Sequence, residues 1–349
     1  MKRINNLYNQ ICKKENIYEA IYKSSRGKRT REDVMIVLDN CDYYADKIYE
    51  MLNNESYIPT KYKTFILYDK LNKKERNIYK PNYFPDQIIH YCLMNILEPI
   101  LMKRMYLYSC GSIPGRGTSF GAKNIRKWLD NDIKGTTYCL KMDVRKFYPS
   151  INKEILIKKF KDTIKDKKTI NLITSIINAD TIGLPIGFYT SGWFANFFLT
   201  ELDLLIKEKL HIKYYVRYVD DLVLLSSNKR HLHKSLDEIK SFLTKEDLIL
   251  KKNYQIFKIE NRDIDFLGFR FFRDKTILRK RNALNIKRRA IKVSKKEATF
   301  RDACSMMASY GWLKHSDSYN YYQESIKPYI QIGEMKKIIR NYRKGKKNK

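Results

Sequence analysis

Three carboxylates define the chemistry open to this chain. Asp220 and Asp221 are adjacent in Tyr218-Val219-Asp220-Asp221, a turn between the apolar runs 214–218 and 222–225. Asp143 ends another such run, 137–143. An acidic pair in a turn is ordinarily a solvated loop. A third acid ending a separate strand, with aromatic residues around both places, shifts that reading. Three carboxylates brought together repel one another unless a cation intervenes. Hard oxygen donors suit Mg²⁺, and two such ions can activate a hydroxyl and hold a leaving pyrophosphate. In such chemistry the protein supplies positioning and electrostatics rather than a covalent nucleophile.

The elements around these acids are legible in outline. Residues 1–60 read as mixed helices with a basic kink at Arg26-Gly27-Lys28-Arg29. The runs 64–68 and 76–79 read as a hairpin, and 86–97 as an apolar helix. A glycine-rich segment, 111–118, leads into a helix over 119–130 and lacks the ending of a P-loop. Helices are expected over 152–168, 191–207 and 229–245, and one strand over 266–271. Beyond 275 the chain turns helical and strongly basic.

Bulk composition narrows the function class. The 349 residues carry 70 Lys plus Arg against 38 Asp plus Glu, a formal charge of +32. That excess points to a polyanion, nucleic acid or an anionic membrane surface. With 43% apolar residues the chain is no disordered basic tail. No apolar run of about 18 residues suggests a spanning helix, and the basic start lacks the apolar stretch of a signal peptide. The six Cys form no CxxC pair and read as reduced cytosolic thiols, so a cytoplasmic location is expected.

In register, these motifs resemble the reverse transcriptase family over about 60–340, most of the chain. Asp143-Val144-Arg145-Lys146-Phe147-Tyr148 resembles its first catalytic motif, and Tyr218-Val219-Asp220-Asp221 the second. The resemblance implies an α+β, right-hand polymerase fold: N-terminal helical extension 1–60, fingers 61–135, palm 136–275 with a fingers segment at 152–180, helical thumb 276–340 and basic tail 341–349. It implies that Asp143, Asp220 and Asp221, with Val144 beside them, hold two Mg²⁺ ions, Mn²⁺ substituting in vitro. Lys252 falls near the lysine that protonates pyrophosphate. Lys74, Arg76, Arg116, Phe147, Tyr148, Pro185, Ile186 and Gly187 match nucleotide-contacting positions, Tyr148 as the sugar-checking ring. A guanidinium fits phosphate oxygens bidentately, which favours Arg76 over Lys74. Phe266, Leu267 and Gly268 resemble the segment that grips the primer end. Ser191, Asn196 and Asp203 read more as core or cap residues than as catalysts.

Several segments look closest to the enzymes of diversity-generating retroelements, among them 15–20, 24–29, 186–191 and 310–315. Many accurate family members carry Gln where this chain has Ile186, so the resemblance implies errors opposite template adenine. That subgroup often has Ser-Gln at the place of Ser191-Gly192, which leaves open a retron-like or phage-defence enzyme. A catalytically idle RNA-binding protein is a third reading, opposed by the intact acids. Lys287, Arg288, Arg289, Lys292, Lys295 and Lys296 would follow the phosphates of an RNA–cDNA duplex. Arg26, Lys28 and Arg29 would touch phosphate in the N-terminal extension. The implied partners are deoxynucleoside triphosphates, a structured template RNA and a small accessory protein forming a basic pentameric barrel, with no membrane.

Overall fold

The computed structural model describes residues 3–69, 74–180 and 183–347. The first sheet is a ribbon of two antiparallel strands, β1 (Lys63–Asp69) and β2 (Lys74–Lys80). Part of the expected hairpin tip, 70–73, lies outside the described residues. The central sheet contains β3 (Ser109–Cys110), β4 (Tyr138–Asp143), β5 (Tyr214–Tyr218), β6 (Asp221–Ser226) and β7 (Gln255–Lys258). Its order is β3-β5-β6-β4-β7, antiparallel except where β3 meets β5. A smaller antiparallel sheet follows, order β10-β9-β8, from β8 (Ile264–Phe266), β9 (Phe269–Phe271) and β10 (Thr276–Leu278).

The central strands are apolar on both faces because both faces are covered. Side chains alternate along a strand. Leu140, Met142, Tyr215, Leu222 and Leu224 therefore join one core, which includes the N-terminal helices and the helix Ile88–Arg104. Cys139, Val216, Val223 and Leu225 join a second core on the opposite face. The helix Lys229–Lys245 covers the first face with Leu232, Leu236, Ile239 and Leu243, spaced for one helical side. Asn228 caps it by accepting from the backbone N–H of Arg230 and His231.

The second core continues into the basic C-terminal helices. Lys280–Ser294 buries Ile286, Ala290 and Val293, and Phe300–Lys314 buries Ala303, Met306 and Leu313. A reciprocal capping box between Thr299 and Asp302 starts the latter. These helices are thereby fixed to the sheet that carries the acids. Among the described residues no helix is long and apolar enough to cross a membrane.

Four sequence expectations change. The helix expected over 152–168 is two, Lys153–Thr163 and Lys167–Ile177. Asp166 caps the second by accepting from Thr169 N–H, and also accepts from the N–H groups of Leu7 and Tyr8. The long helix from Ser191 is Tyr189–Phe198, then Thr200–Leu204, then a π-helical turn. At the break the Thr200 hydroxyl donates to the Phe197 carbonyl, a contact that bends helices. The expected basic tail from 341 is the end of the helix Ile332–Lys347. The single strand over 266–271 is a hairpin, turning at Leu267 (φ +54°) and Gly268 (φ +82°). Two consecutive positive φ values match the twist of a two-residue hairpin loop.

Candidate active site

The sheet register brings the three acids to one edge. Asp221 opens β6, opposite Asp143 at the end of β4 and opposite Tyr218 at the end of β5. The β5–β6 turn consists of Val219 and Asp220, and the Asp220 carbonyl accepts from the Val144 N–H at 3.2 Å. Val144 itself is fully buried. Burial, then repulsion from Asp143, pushes Asp220 up to about 7 and Asp221 up to about 6.

The donor set suits a hard divalent cation. Asp143 Oδ1 is buried and accepts no hydrogen bond. Its Oδ2 pairs with the Lys251 ammonium, and its carbonyl accepts from the Lys251 N–H at 2.9 Å. Among the described residues no group of three His, Cys, Asp or Glu is drawn together tightly enough to grip an ion as it stands. Half-buried, mutually repelling carboxylates, one with a buried oxygen that has no hydrogen-bond partner, nevertheless fit Mg²⁺ better than they fit one another.

A cleft of about 900 Å³ opens above the acids. Arg76, Phe147, Tyr148 and Ile186 line it, as do Arg145, Lys146, Lys251 and Arg279. Burial, then the nearby Asp220, raises the Tyr148 hydroxyl above its ordinary range, against a smaller lowering from Ser112. Tyr148 and Ile186 also line a second cavity of about 380 Å³ with Ser112, Gly192 and Trp193. The two side chains thus stand between two cavities. Gly187 has φ +120°, and a Cβ there would come within 2.3 Å of the Tyr79 carbonyl oxygen. The Tyr79 N–H donates to the Ile186 carbonyl at 2.8 Å. The β2 ribbon and the Leu184-Pro185-Ile186-Gly187 loop are thereby tied together, with Pro185 buried beneath.

The lysine at the carboxylates is Lys251, one position before the residue chosen from sequence. Lys251 lines both the cleft and a neighbouring cavity walled by Lys240, Thr244 and Tyr254, whereas Lys252 lines only the neighbouring one. Arg116 is half-buried and donates to the Tyr106 carbonyl at 3.1 Å, closing the glycine-rich segment rather than lining the cleft. The side chain of Lys74, at the start of β2, lies outside the described residues. Sequence reasoning also passed over Arg145, Lys146 and Arg279. The first two lie two and three residues after Asp143, within the same motif, a signal that was available. Arg279 is brought in by the fold alone.

The 266–268 segment sits at the junction of cleft and C-terminal helices. Phe266 is buried, and the Gly268 carbonyl accepts from the Arg279 N–H and from Asn282 Nδ2. Trp312 stacks on Phe269 with ring centroids 5.4 Å apart. Of the expected phosphate contacts, Arg288, Lys292 and Lys295 are exposed and Lys287 is half-exposed. Arg289 donates to Ser309 Oγ across the helix pair, and Lys296 pairs with Asp302. In the N-terminal extension Arg26 is exposed, Lys28 is held by Gln87 Oε1, and Arg29 reaches Ser25 Oγ.

Comparison with known proteins agrees with this geometry. The profile of the family "Reverse transcriptase (RNA-dependent DNA polymerase)" matches residues 70–271, more than half of the chain. Retron Ec73 reverse transcriptase of Escherichia coli is 33% identical over 135 residues, 35% of this chain and 43% of that protein. An uncharacterized 91 kDa protein in a cob intron of Schizosaccharomyces pombe is 28% identical over 245 residues, 65% of this chain and 29% of that protein. The chain thus spans less than half the length of either curated relative. Apo telomerase from Candida tropicalis shares the fold, with a TM-score of 0.53 at 14% identity over 72% of this chain and 52% of that one. Telomerase from the same species with a fragment of telomeric RNA scores 0.52 at 15% identity, over 76% and 55%. By its profile match, this chain belongs to the reverse transcriptase family.

Proposed function

We propose that the chain is an RNA-directed DNA polymerase that extends a primer on a dedicated, structured RNA. The observation that carries this reading is the in-register meeting of Asp143 and Asp221, with Asp220 at the turn between, beneath a cleft lined by Arg76, Lys146 and Arg279. Two Mg²⁺ ions, held by Asp143, Asp220 and Asp221, would lower the pKa of a primer hydroxyl and neutralise a leaving pyrophosphate. Arg76 and Lys146 would bind triphosphate oxygens. Tyr148 would stand against the sugar and exclude a 2′-hydroxyl. Lys251, already at Asp143, would hold positive charge beside the reacting phosphate. Arg288, Lys292 and Lys295 would follow the duplex backbone. A primed RNA template with Mg²⁺ and the four deoxynucleotides tests this. Incorporation supports it; duplex binding without incorporation overturns it.

Within this chemistry a retron-like or defence-associated enzyme is the narrower reading, supported by the match to the Ec73 enzyme. The specific observation favouring a diversity-generating role is Ile186 at the cleft wall, which lacks the hydrogen-bonding groups of Gln. That role would bring in the accessory pentameric barrel protein. The neighbouring DNA separates the two: a retron RNA gene supports the first, paired near-repeats differing at adenines the second.

A further inference from the structure

The geometry points to Arg217 as a positioning residue for the carboxylate turn, acting through the carbonyl of Val219. This rests on the polymerase reading only in taking Asp220 and Asp221 as its working groups.

Val219 has φ +56°. For a β-branched residue that conformation is an outlier, and it persists only where the surroundings impose it. Two hydrogen bonds do so here. The Val219 N–H donates to the Cys110 carbonyl at 3.0 Å, and its carbonyl accepts from Arg217 Nη1 at 2.9 Å. The next residue is Asp220. A rotation that relieved Val219 would act first on Asp220, whose peptide bond includes that carbonyl, while Asp221 is already held by the strand register.

The guanidinium that holds this carbonyl has one available pose. Arg217 is 0% exposed and Asp203 2%. A guanidinium has five N–H donors, and each finds an acceptor. Nε donates to Asp203 Oδ1 at 2.8 Å. Nη1 donates to Asn196 Oδ1 at 3.0 Å as well as to Val219. Nη2 donates to Asp203 Oδ2 at 2.6 Å and to Ser109 Oγ at 3.0 Å. Asp203 is fixed in turn by the hydroxyls of Tyr215 and Ser109. Asn196 donates onward to the Gly111 carbonyl. The acceptors therefore come from β3, from two helices and from the turn itself. A buried ion pair adds little stability over a well-packed apolar replacement. What this pair supplies is a fixed direction for one carbonyl, which neither an apolar side chain nor the single-point ammonium of lysine reproduces.

The test uses the full chain, with primer extension and electron paramagnetic resonance of added Mn²⁺ as separate readouts. Arg217→Lys should lower kcat about a hundredfold, the scale of a misplacement near 1 Å, with the KM for deoxynucleotide little changed. Mn²⁺ affinity should fall about tenfold. Val219→Gly in the Arg217→Lys background should restore at least about tenfold of kcat, because glycine adopts positive φ without help. A merely structural role would lower the folded fraction and give no such rescue. Asp203→Asn, closer in shape, should weaken Mn²⁺ binding likewise if Arg217→Lys does not fold. Unchanged Mn²⁺ affinity in the folded variants, or loss without rescue by Val219→Gly, overturns the inference. A wild-type chain that binds Mn²⁺ but extends no primer ends the polymerase reading, while the Mn²⁺ comparison still decides this one.

Discussion

Asp143 and Asp221 stand directly opposite each other on adjacent antiparallel strands, each at the strand end nearest the cleft. Two like charges in that register repel, and burial deepens the penalty. Without metal, Asp220 and Asp221 titrate above the unfolded carboxylate value of about 3.9. The folded state then binds more protons than the unfolded one between that value and about pH 7, so stability falls as pH rises through this window. Removing one charge should relieve this. Asp220→Asn should raise the Tm of metal-free protein near pH 8 by about 2 °C or more, and have little effect near pH 4. Mg²⁺ should raise the wild-type Tm and leave the variant's unmoved. Thermal scans at both pH values check this, and a variant less stable than wild type near pH 8 contradicts it.

Gly268 joins the β8–β9 hairpin to the C-terminal helices. A Cβ there would lie 2.3 Å from the Trp312 ring and 2.5 Å from Asn282 Nδ2, at φ +82°. Gly268→Ala should cost about 1–3 kcal/mol of stability. It should shorten the products made per binding event while leaving the KM for deoxynucleotide nearly unchanged. Melting curves and single-encounter extension measure both.

Ile186 faces the cleft between Tyr148 and the Tyr79 strand. If its apolar side chain relaxes selection, Ile186→Gln should reduce misincorporation opposite template adenine by about fivefold, the value of one added hydrogen bond near 1 kcal/mol. Sequencing of cDNA from a defined template gives the answer. An unchanged adenine error frequency removes the diversity-generating argument without touching the polymerase one.

Arg288, Lys292 and Lys295 lie at helical spacing on the exposed side of Lys280–Ser294 and the turn after it. Replacing Lys292 and Lys295 by Ser should weaken duplex binding at all sequences alike. The slope of log K against log salt should become shallower by about 1–2. Arg289→Ala should instead lower Tm, because that side chain joins two helices through Ser309.

The sequence carried the strands and acids well because each announces itself locally. The run 137–143 is largely apolar and ends at Asp143, and the largely apolar pair 214–218 and 222–225 flanks the turn that carries Asp220 and Asp221. The helix over 229–245 was legible to its ends, since Asn228 is a cap and four apolar residues share one side. What failed was long-range. Lys251 and Lys252 are indistinguishable by composition, and only the backbone bond from Lys251 to Asp143 decides which reaches the acids. Asp203 and Arg217 are separated in sequence by the β5 lead-in, so nothing local reveals their pairing. Phe266-Leu267-Gly268-Phe269 reads as strand because its apolar content hides the two positive φ values.

The most direct test of the central claim is primer extension on an RNA template by the wild-type chain and by Asp220→Asn, with RNA–DNA duplex binding measured on both. Mg²⁺-dependent synthesis by wild type, its loss in the variant, and equal duplex affinity are the expected results. Equal synthesis by both proteins, or duplex binding by wild type with no synthesis at all, would contradict that claim.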